Sequence, residues 1–420
     1  MNNIAAIILA AGEGTRMKSS LPKVLHLVCG KPMIQYLINT MRSIGINKVI
    51  AVVGHKAALV EEKLKGIKCV NQKELLGTGD AVLRVKPLLL KDKKINSVLV
   101  LYGDVCLLTA GTLKKILDRH MSTRAGCTLL TANMKNPTGY GRIIRSSGGK
   151  ITKIVEEPDA SIYEKVIEEI NVGVYCFNKE MLFEALGKLK PNKRKKEYYL
   201  TDVIEMFTKS GILVESISSE DPEEFLGVNT RNDLNKVEQA VRRRSLEKIV
   251  RQGVTVIDPS NTYISEDVSI DKDTVIYPYT FIENDVKIGS NCSIGPFARI
   301  RPGTVIDDNV AVGNFAEIVR SRVGSFTKIR HQCYIGDTAI GANVNIGAGT
   351  IVANYDGKNK HKTVIEDNAF IGTGTILIAP VRIGKGASTG AGSVVTRDHN
   401  VPAGKTVAGI PARILKKIRE

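Results

Sequence analysis

The stretch IENDVKIGSNCSIGPFARI, Ile282 to Ile300, carries an aliphatic residue at every sixth position, with small or polar residues between. Outward in both directions the spacing holds. Ile264, Ile270 and Ile276 precede it, and Ile306, Val312 and Ile318 follow. The phase slips by one residue to Val323, Ile329 and Ile335, slips again to Ile340, Ile346 and Val352, and resumes at Ile365, Ile371, Leu377 and Ile383. A helix repeats every 3.6 residues and a half-buried strand every two, so neither gives this period. Six-residue repetition predicts a parallel β-helix solenoid whose stacked aliphatics fill the interior. One segment leaves the period, NYDGKNKHKT from Asn354 to Thr363. A polar, basic excursion gives up coil stacking, and within the repeat it is the place where function concentrates.

Upstream the pattern changes. From the start to about Leu130, short apolar runs (Ile4 to Leu9, Lys48 to Val53, Ser97 to Leu101) alternate with helical segments, which predicts a doubly wound, mostly parallel α/β sheet. The first run breaks directly into LAAGEGTRM, Leu9 to Met17, followed by Leu21-Pro22-Lys23. Gly12 and Gly14 let the backbone turn tightly and bring its N–H groups to an anion, while Arg16 and Lys23 offer charge-assisted contacts to phosphate oxygens. The spacing is neither a P-loop nor a dinucleotide fingerprint. In such sheets ligands sit beyond the carboxyl ends of strands, and Asp104 closes the run from Val98. An Asp there either caps the next helix or serves as one of the few protein ligands that Mg2+ requires. From Thr230 to about Val254, apolar Leu234, Val237, Ala240 and Val241 stand at helical spacing, a connecting helix. The expected partition is 1–229, 230–257 and 258–420.

With 420 residues the chain has room for two domains with sizeable cores. Net charge is +17, more than half of it before Thr230, on the half read as phosphate-handling. Anionic small substrates account for that excess. With no zinc-knuckle spacing, RNA-binding motif or aromatic-interleaved basic stretch, no nucleic acid partner is expected. The densest basic run, Lys193-Arg194-Lys195-Lys196, reads as a solvated loop. Seven cysteines stand singly without a CxxC, the pattern of reduced thiols in a cytoplasmic protein. No basic region precedes an apolar stretch at the N-terminus and no window approaches a membrane span, so neither secretion nor a membrane partner is expected.

The sequence GxGTRM followed by LPK resembles the sugar nucleotidyltransferases, and the six-residue repeat is similar to that of the hexapeptide proteins, left-handed triangular prisms that assemble as trimers. Further landmarks follow in order: LLGTGDA, LYGDV, PTGYGRI, EEIN, EYYLTD, GVNTR, IGPFARIRPG, NIGAGT and NYDGKNK. With them, nearly the whole chain resembles the bifunctional N-acetylglucosamine-1-phosphate uridyltransferase and glucosamine-1-phosphate N-acetyltransferase family of cell-wall precursor synthesis. The fold so implied is a doubly wound, Rossmann-like α/β nucleotidyltransferase domain followed by a left-handed parallel β-helix of hexapeptide repeats.

By that resemblance Leu9, Ala10, Ala11 and Gly12 border the nucleotide, Gln72, Gly77 and Thr78 read uracil, and Tyr102, Gly103, Gly141, Glu156 and Asn171 hold the sugar and ribose. The resemblance also pairs Asn229 with Asp104 as Mg2+ ligands, and it gives Arg16 and Lys23 the neutralisation of charge as UTP reacts. In the solenoid it implies acetyl transfer from acetyl-CoA, with His331 as general base. Arg301, Glu317, Tyr334, Asn345, Asn354, Tyr355 and Lys360 form the substrate-binding set, and Ala348, Thr373 and Ala391 meet acetyl-CoA. The site is implied to be shared between neighbouring subunits of a homotrimer.

Three departures mark this chain. Val319-Arg320 stand where the family has a Lys-Lys pair whose first member binds phosphate, and Arg320, next to it on a strand, is expected to point elsewhere. Gln332-Cys333 replace Leu-Thr. The tail, Val407 to Arg413, is that of other hexapeptide acetyltransferases, with Arg413 a candidate contact for CoA phosphates. Two further readings stay open: a uridyltransferase whose solenoid is only a trimerisation scaffold, and an acetyl site with a different amino-sugar acceptor. A non-enzymatic binding solenoid is disfavoured by the intact glycine loop and Asp104.

Overall fold

A computed structural model describes residues 3–192 and 196–415, so most of the basic run, Lys193 to Lys195, lies outside the described residues. The chain forms two compact units, Met1–Glu238 and Gln239–Glu420.

In the first unit nine strands make one sheet: β1 (Ile4–Ala10), β2 (Val49–Val53), β3 (Lys68–Asn71), β4 (Ser97–Tyr102), β5 (Cys127–Asn133), β6 (Arg142–Arg145), β7 (Ile151–Val155), β8 (Glu169–Asn178) and β9 (Val214–Ser219). Their order is β9-β5-β8-β4-β1-β2-β3, with β6 pairing both β8 and β7. β1 pairs in parallel with β2 and β4, β2 with β3, and β5 with β9; β8 runs antiparallel between β4 and β5.

Alternate side chains of β1 face opposite layers, as strand geometry requires. Ile4, Ala6 and Ile8 join Ile34, Leu37 and Met41 of α1 (Met33–Ser43), while Ala5 and Ile7 join Val82 of α2 (Thr78–Leu83). Helix α3 (Ala110–Thr123) packs on the α1 side, whereas α4 (Lys179–Leu186) and α5 (Asp202–Lys209) pack with α2. Each fully buried Ile of β1 is worth about 1.5–3 kcal/mol of transfer free energy, which makes the central strand a firm platform for the loop at its carboxyl end.

Helix α6 (Arg231–Arg251) starts at a reciprocal cap. Thr230 Oγ1 accepts from the Asp233 N–H at 3.2 Å, and the Asp233 carboxylate accepts from the N–H groups of Thr230 and Asn229 at 2.8 and 3.2 Å.

The second unit is a three-faced parallel β-helix. Its faces hold ten, eight and seven short strands, parallel apart from the last pair of the ten. Every aliphatic of the six-residue series, Ile264 through Ile383, is buried in one continuous core. Coil neighbours are 18 residues apart at first, as in Val275↔Ser293. They become 17 apart from Val305↔Arg322 onward, 25 at Thr338↔Thr363 and 18 again at Thr363↔Val381. The two phase slips are therefore one-residue deletions at a corner, and the excursion lengthens one coil without moving the aliphatics from their columns.

Corners are turned by left-handed residues at the same interval: Asp273, Tyr279, Asp285, Asn291 and Phe297, with Arg320 and Asp337 where the phase has slipped. Asp and Asn adopt that conformation cheaply, whereas an aromatic residue gives up roughly 1–2 kcal/mol. On the edge between the first and second faces the aromatics recover part of this by stacking. Tyr279 and Phe297 have ring centroids 5.0 Å apart, Phe297 and Phe315 5.2 Å, and the ladder is exposed.

Candidate functional site

At the carboxyl ends of β1 and β4 lies a cleft of about 630 Å³. Leu9, Ala10, Ala11, Gly12, Lys23, Gln72, Gly77, Thr78, Tyr102, Asp104 and Glu156 all line it, so most residues named from the sequence for the nucleotide meet there. The two loop glycines divide the work. Gly14 has φ 63°, and a Cβ on it would sit 2.9 Å from the Lys23 Cβ, so it sets the turn and its packing. Gly12 has open space where a Cβ would stand and leaves the backbone accessible from the cleft.

Asp104, Asn229, Lys23 and Arg16 converge at the rim. Lys23 Nζ is 2.5 Å from Asp104 Oδ2 and 3.3 Å from Asn229 Oδ1, and Arg16 Nη2 donates to the same Asn229 oxygen at 2.8 Å. The Val228 N–H donates to the Asp104 carbonyl at 3.1 Å, which explains how residues so distant in sequence meet. Two oxygens thus point at one cation, the donor set that suits a hard divalent ion. No group of three metal-ligating His, Cys, Asp or Glu side chains occurs among the described residues.

Deeper in the cleft, Gln72 Nε2 donates to Gly77 O at 3.0 Å and to Asp80 Oδ2 at 2.8 Å. Both hydrogens of that amide are used inside the protein, so its oxygen is what remains for a ligand. Gly77 has φ 99°, and a Cβ there would lie 2.6 Å from Tyr198 O. At the opposite end Gly141, Glu156 and Asn171 come together: a Cβ on Gly141 would be 3.5 Å from Glu156 Oε2 and 3.6 Å from the Asn171 Cβ. Thr201 Oγ1 donates to Glu156 Oε1 at 2.9 Å, and Asn171 Nδ2 to the Tyr175 hydroxyl at 2.6 Å. Burial, and then the charge of Glu156, pushes the Tyr102 phenol well up. Gly103 stands behind the cleft, where a Cβ would meet Val24 and Leu9 O.

Sequence reasoning passed over several residues. Glu197 and Tyr199 of EYYLTD line the cleft, and Asp202 behind them has its carboxyl pushed up to about 6 by burial and by Glu156, Glu205 and Asp159. The doubled tyrosine of that landmark was the available signal. Gly173, φ 83°, lies in a register break of β8, and a Cβ there would be 2.3 Å from the Tyr102 ring. No local pattern announces it.

In the solenoid the named residues fall on two edges. His331 ends a strand of the first face, paired so that Asn314 stands opposite it, with Nδ1 3.3 Å from Asn314 Oδ1. When Asn314 accepts that hydrogen, Nε2 is the basic nitrogen. Asn345 lies on the same face, and the ladder registers carry on from His331 to Ala348, Thr373 and Ala391. Arg413 is at the far end of this face, opposite Ala408. Cys333 points inward and donates to the His331 carbonyl, so the Gln332-Cys333 replacement leaves the His331 corner closed.

The other edge, between the second and third faces, gathers Tyr334, Asn354 and the excursion. A Cβ on Gly336 would meet both Asn354 Nδ2 and the Tyr334 hydroxyl within 3.0 Å. Arg301 pairs with Glu317 at 2.7 Å. Tyr355 and Lys360 bridge across the excursion. Its Asp356 accepts from the N–H groups of Lys358 and Asn359 and lies 2.6 Å from His361 Nε2.

Val319 is buried, as its apolar character dictates. Arg320 corrects the expectation that it lies on a strand. It is the left-handed corner residue, not a strand residue, and it grips Asp337 through two bonds of 2.6 and 2.8 Å, while Asn354 donates to the same carboxylate. A cation therefore stands on the Asn354 edge.

A nucleotidyl transferase family model matches residues 5–222, and a bacterial transferase hexapeptide model (six repeats) matches 285–320 and 362–397. Fold and sites together define a transferase made of a nucleotidyltransferase domain and a hexapeptide-repeat β-helix. The chain is 45% identical to the bifunctional protein GlmU of Shouchella clausii, over 95% of each chain. Against that of Carboxydothermus hydrogenoformans it is 46% identical, over 93% of this chain and 95% of the other, and against that of Pelotomaculum thermopropionicum 46%, over 90% of each. It belongs to the GlmU family of bifunctional proteins. No helix among the described residues is long and apolar enough to cross a membrane.

Proposed function

We propose that the chain transfers acetyl from acetyl-CoA to glucosamine 1-phosphate in its solenoid and then uridylyl from UTP to N-acetylglucosamine 1-phosphate in its α/β unit. Residues 1–229 and 258–420 carry one activity each, and 230–257 connect them. The observation that carries the reading is the convergence of Asp104, Asn229, Lys23 and Arg16 at the end of the glycine loop.

In uridylyl transfer a sugar-phosphate oxygen attacks the α-phosphorus, and the bond to the β-phosphate breaks to release pyrophosphate. The nucleophile is already anionic and needs no base. Positioning and charge neutralisation are the protein's task. Asp104 and Asn229 would hold Mg2+, which supplies further neutralisation of phosphate charge when bound. Lys23 and Arg16 meet phosphate oxygens, while the Gln72 oxygen and the Gly77 backbone face the uracil edge.

In acetyl transfer the sugar amine attacks the thioester carbonyl, Nε2 of His331 takes the amine proton, and the CoA thiolate leaves. His331 with the acetyl-CoA residues Ala348, Thr373 and Ala391 occupies one edge of the prism, and Arg301, Tyr334, Asn354, Tyr355 and Lys360 belong to another. This separation supports a site completed by a neighbouring copy, and the exposed Tyr279–Phe297–Phe315 ladder beneath His331 supports burial of that edge in a homotrimer. Seven cysteines without a disulfide support a cytoplasmic location.

The test is a pair of assays on the wild type and two variants. Wild type releases pyrophosphate from UTP with N-acetylglucosamine 1-phosphate, and free CoA from acetyl-CoA with glucosamine 1-phosphate. Asp104→Ala abolishes the first release alone and His331→Ala the second alone. Pyrophosphate without any free CoA would leave the solenoid as a scaffold.

A further inference from the structure

Two rungs lace residues 23–26 to residues 229–231. The upper is Lys23 Nζ to Asn229 Oδ1, and the lower is Arg231 Nη1 to His26 Nδ1 at 3.1 Å. They differ in permanence. Lys23 is 2.5 Å from Asp104 and must leave that carboxylate to meet a substrate phosphate, which loosens the upper rung. The lower rung uses no group assigned to substrate.

His26 is 4% exposed, and its Nε2 makes no well-formed hydrogen bond among the described residues, although the Leu21 backbone acts on the ring. Burial, and then the charge of Arg231, lowers its pKa, so the ring is neutral. A guanidinium has only donors, so Nδ1 accepts and Nε2 carries the hydrogen. A buried ring whose hydrogen is so poorly satisfied is unfavourable beside an apolar residue of similar size. What it offers that leucine does not is the acceptor for Arg231. The bonds from Val228 N–H to Asp104 O and around Asp233 fix the backbone on both sides of Asn229, and among the described residues the two rungs are the hydrogen bonds that tie it to residues 23–26.

We propose that His26 is a positioning residue for nucleotidyl transfer, holding Asn229 in place through Arg231 while Lys23 moves from Asp104 to substrate phosphate. This rests on the uridyltransferase reading of the cleft.

Four full-length variants test it: His26→Leu, His26→Asn, Arg231→Met and the double His26→Leu/Arg231→Met. They are measured for pyrophosphate release, for Mn2+ bound in the presence of UTP by electron paramagnetic resonance, and for thermal midpoint. His26→Leu and Arg231→Met each lower kcat roughly tenfold and weaken Mn2+ binding to the UTP complex to match, the size expected for one charge-assisted bond. His26→Asn, which restores an acceptor near Nδ1, recovers most of the loss, and the double variant is no worse than either single one. Near-wild-type kcat and Mn2+ affinity in Arg231→Met, or losses that multiply in the double, overturn the proposal. So does a fall in thermal midpoint with kcat and Mn2+ affinity unchanged. If the wild type neither releases pyrophosphate nor binds Mn2+ with UTP, the reading of the cleft itself falls.

Discussion

Asp202 sits at the start of α5 among carboxylates, and its position has a measurable cost. Burial first, then Glu156, Glu205 and Asp159, hold its pKa at about 6, above the ordinary 3.8. Folding therefore takes up a proton between those values. The stability so gained is complete below about pH 4 and is lost as pH rises through about 6. Asp202→Asn removes this dependence. Its thermal midpoint should match wild type near about pH 4 and exceed it near about pH 8. A gap that stays constant across that range would show that the carboxyl is not strained in the folded state. Glu156 is the neighbour that lines the cleft, where Thr201 donates to its carboxylate and glycine at 141 leaves that carboxylate room.

Among the elements, the excursion from Asn354 to Thr363 is the clearest case of structure added for a purpose. Deleting Tyr355 to Lys362 would return a 25-residue coil to 17, a length the solenoid already uses between Val305 and Arg322. The variant should keep its β-helix by circular dichroism and release pyrophosphate normally, yet yield no free CoA. Collapse of the fold would mean that the excursion is structural.

The excursion could be read because it interrupts a period set by buried aliphatics, and a period survives in sequence. The loop at Gly12 and Gly14 could be read because phosphate binding needs small residues and cations close together. Other features depend on tertiary context alone. Gly173 answers to the Tyr102 ring from another strand, and Asp202 owes its raised pKa to Glu156 from a different element. Arg320 was assigned to a strand because the one-residue deletion that makes it a corner residue shows in the spacing of its neighbours, not in the residue itself.

For the whole molecule, two compact units fit the two proposed chemistries, of which uridylyl transfer is the one proposed to use a divalent cation. Chelation with excess EDTA should stop pyrophosphate release and leave CoA release intact, with Mg2+ restoring the first. Loss of both activities together would imply that the cation also supports the solenoid. The solenoid has a further property, visible in coils that close after 17, 18 or 25 residues around unchanged columns of aliphatic residues. Length and surface are uncoupled from folding there: an insertion or a deletion alters the rim of one coil and leaves the rest as they were. Such a frame lets successive generations revise what a corner recognises while inheriting the core intact.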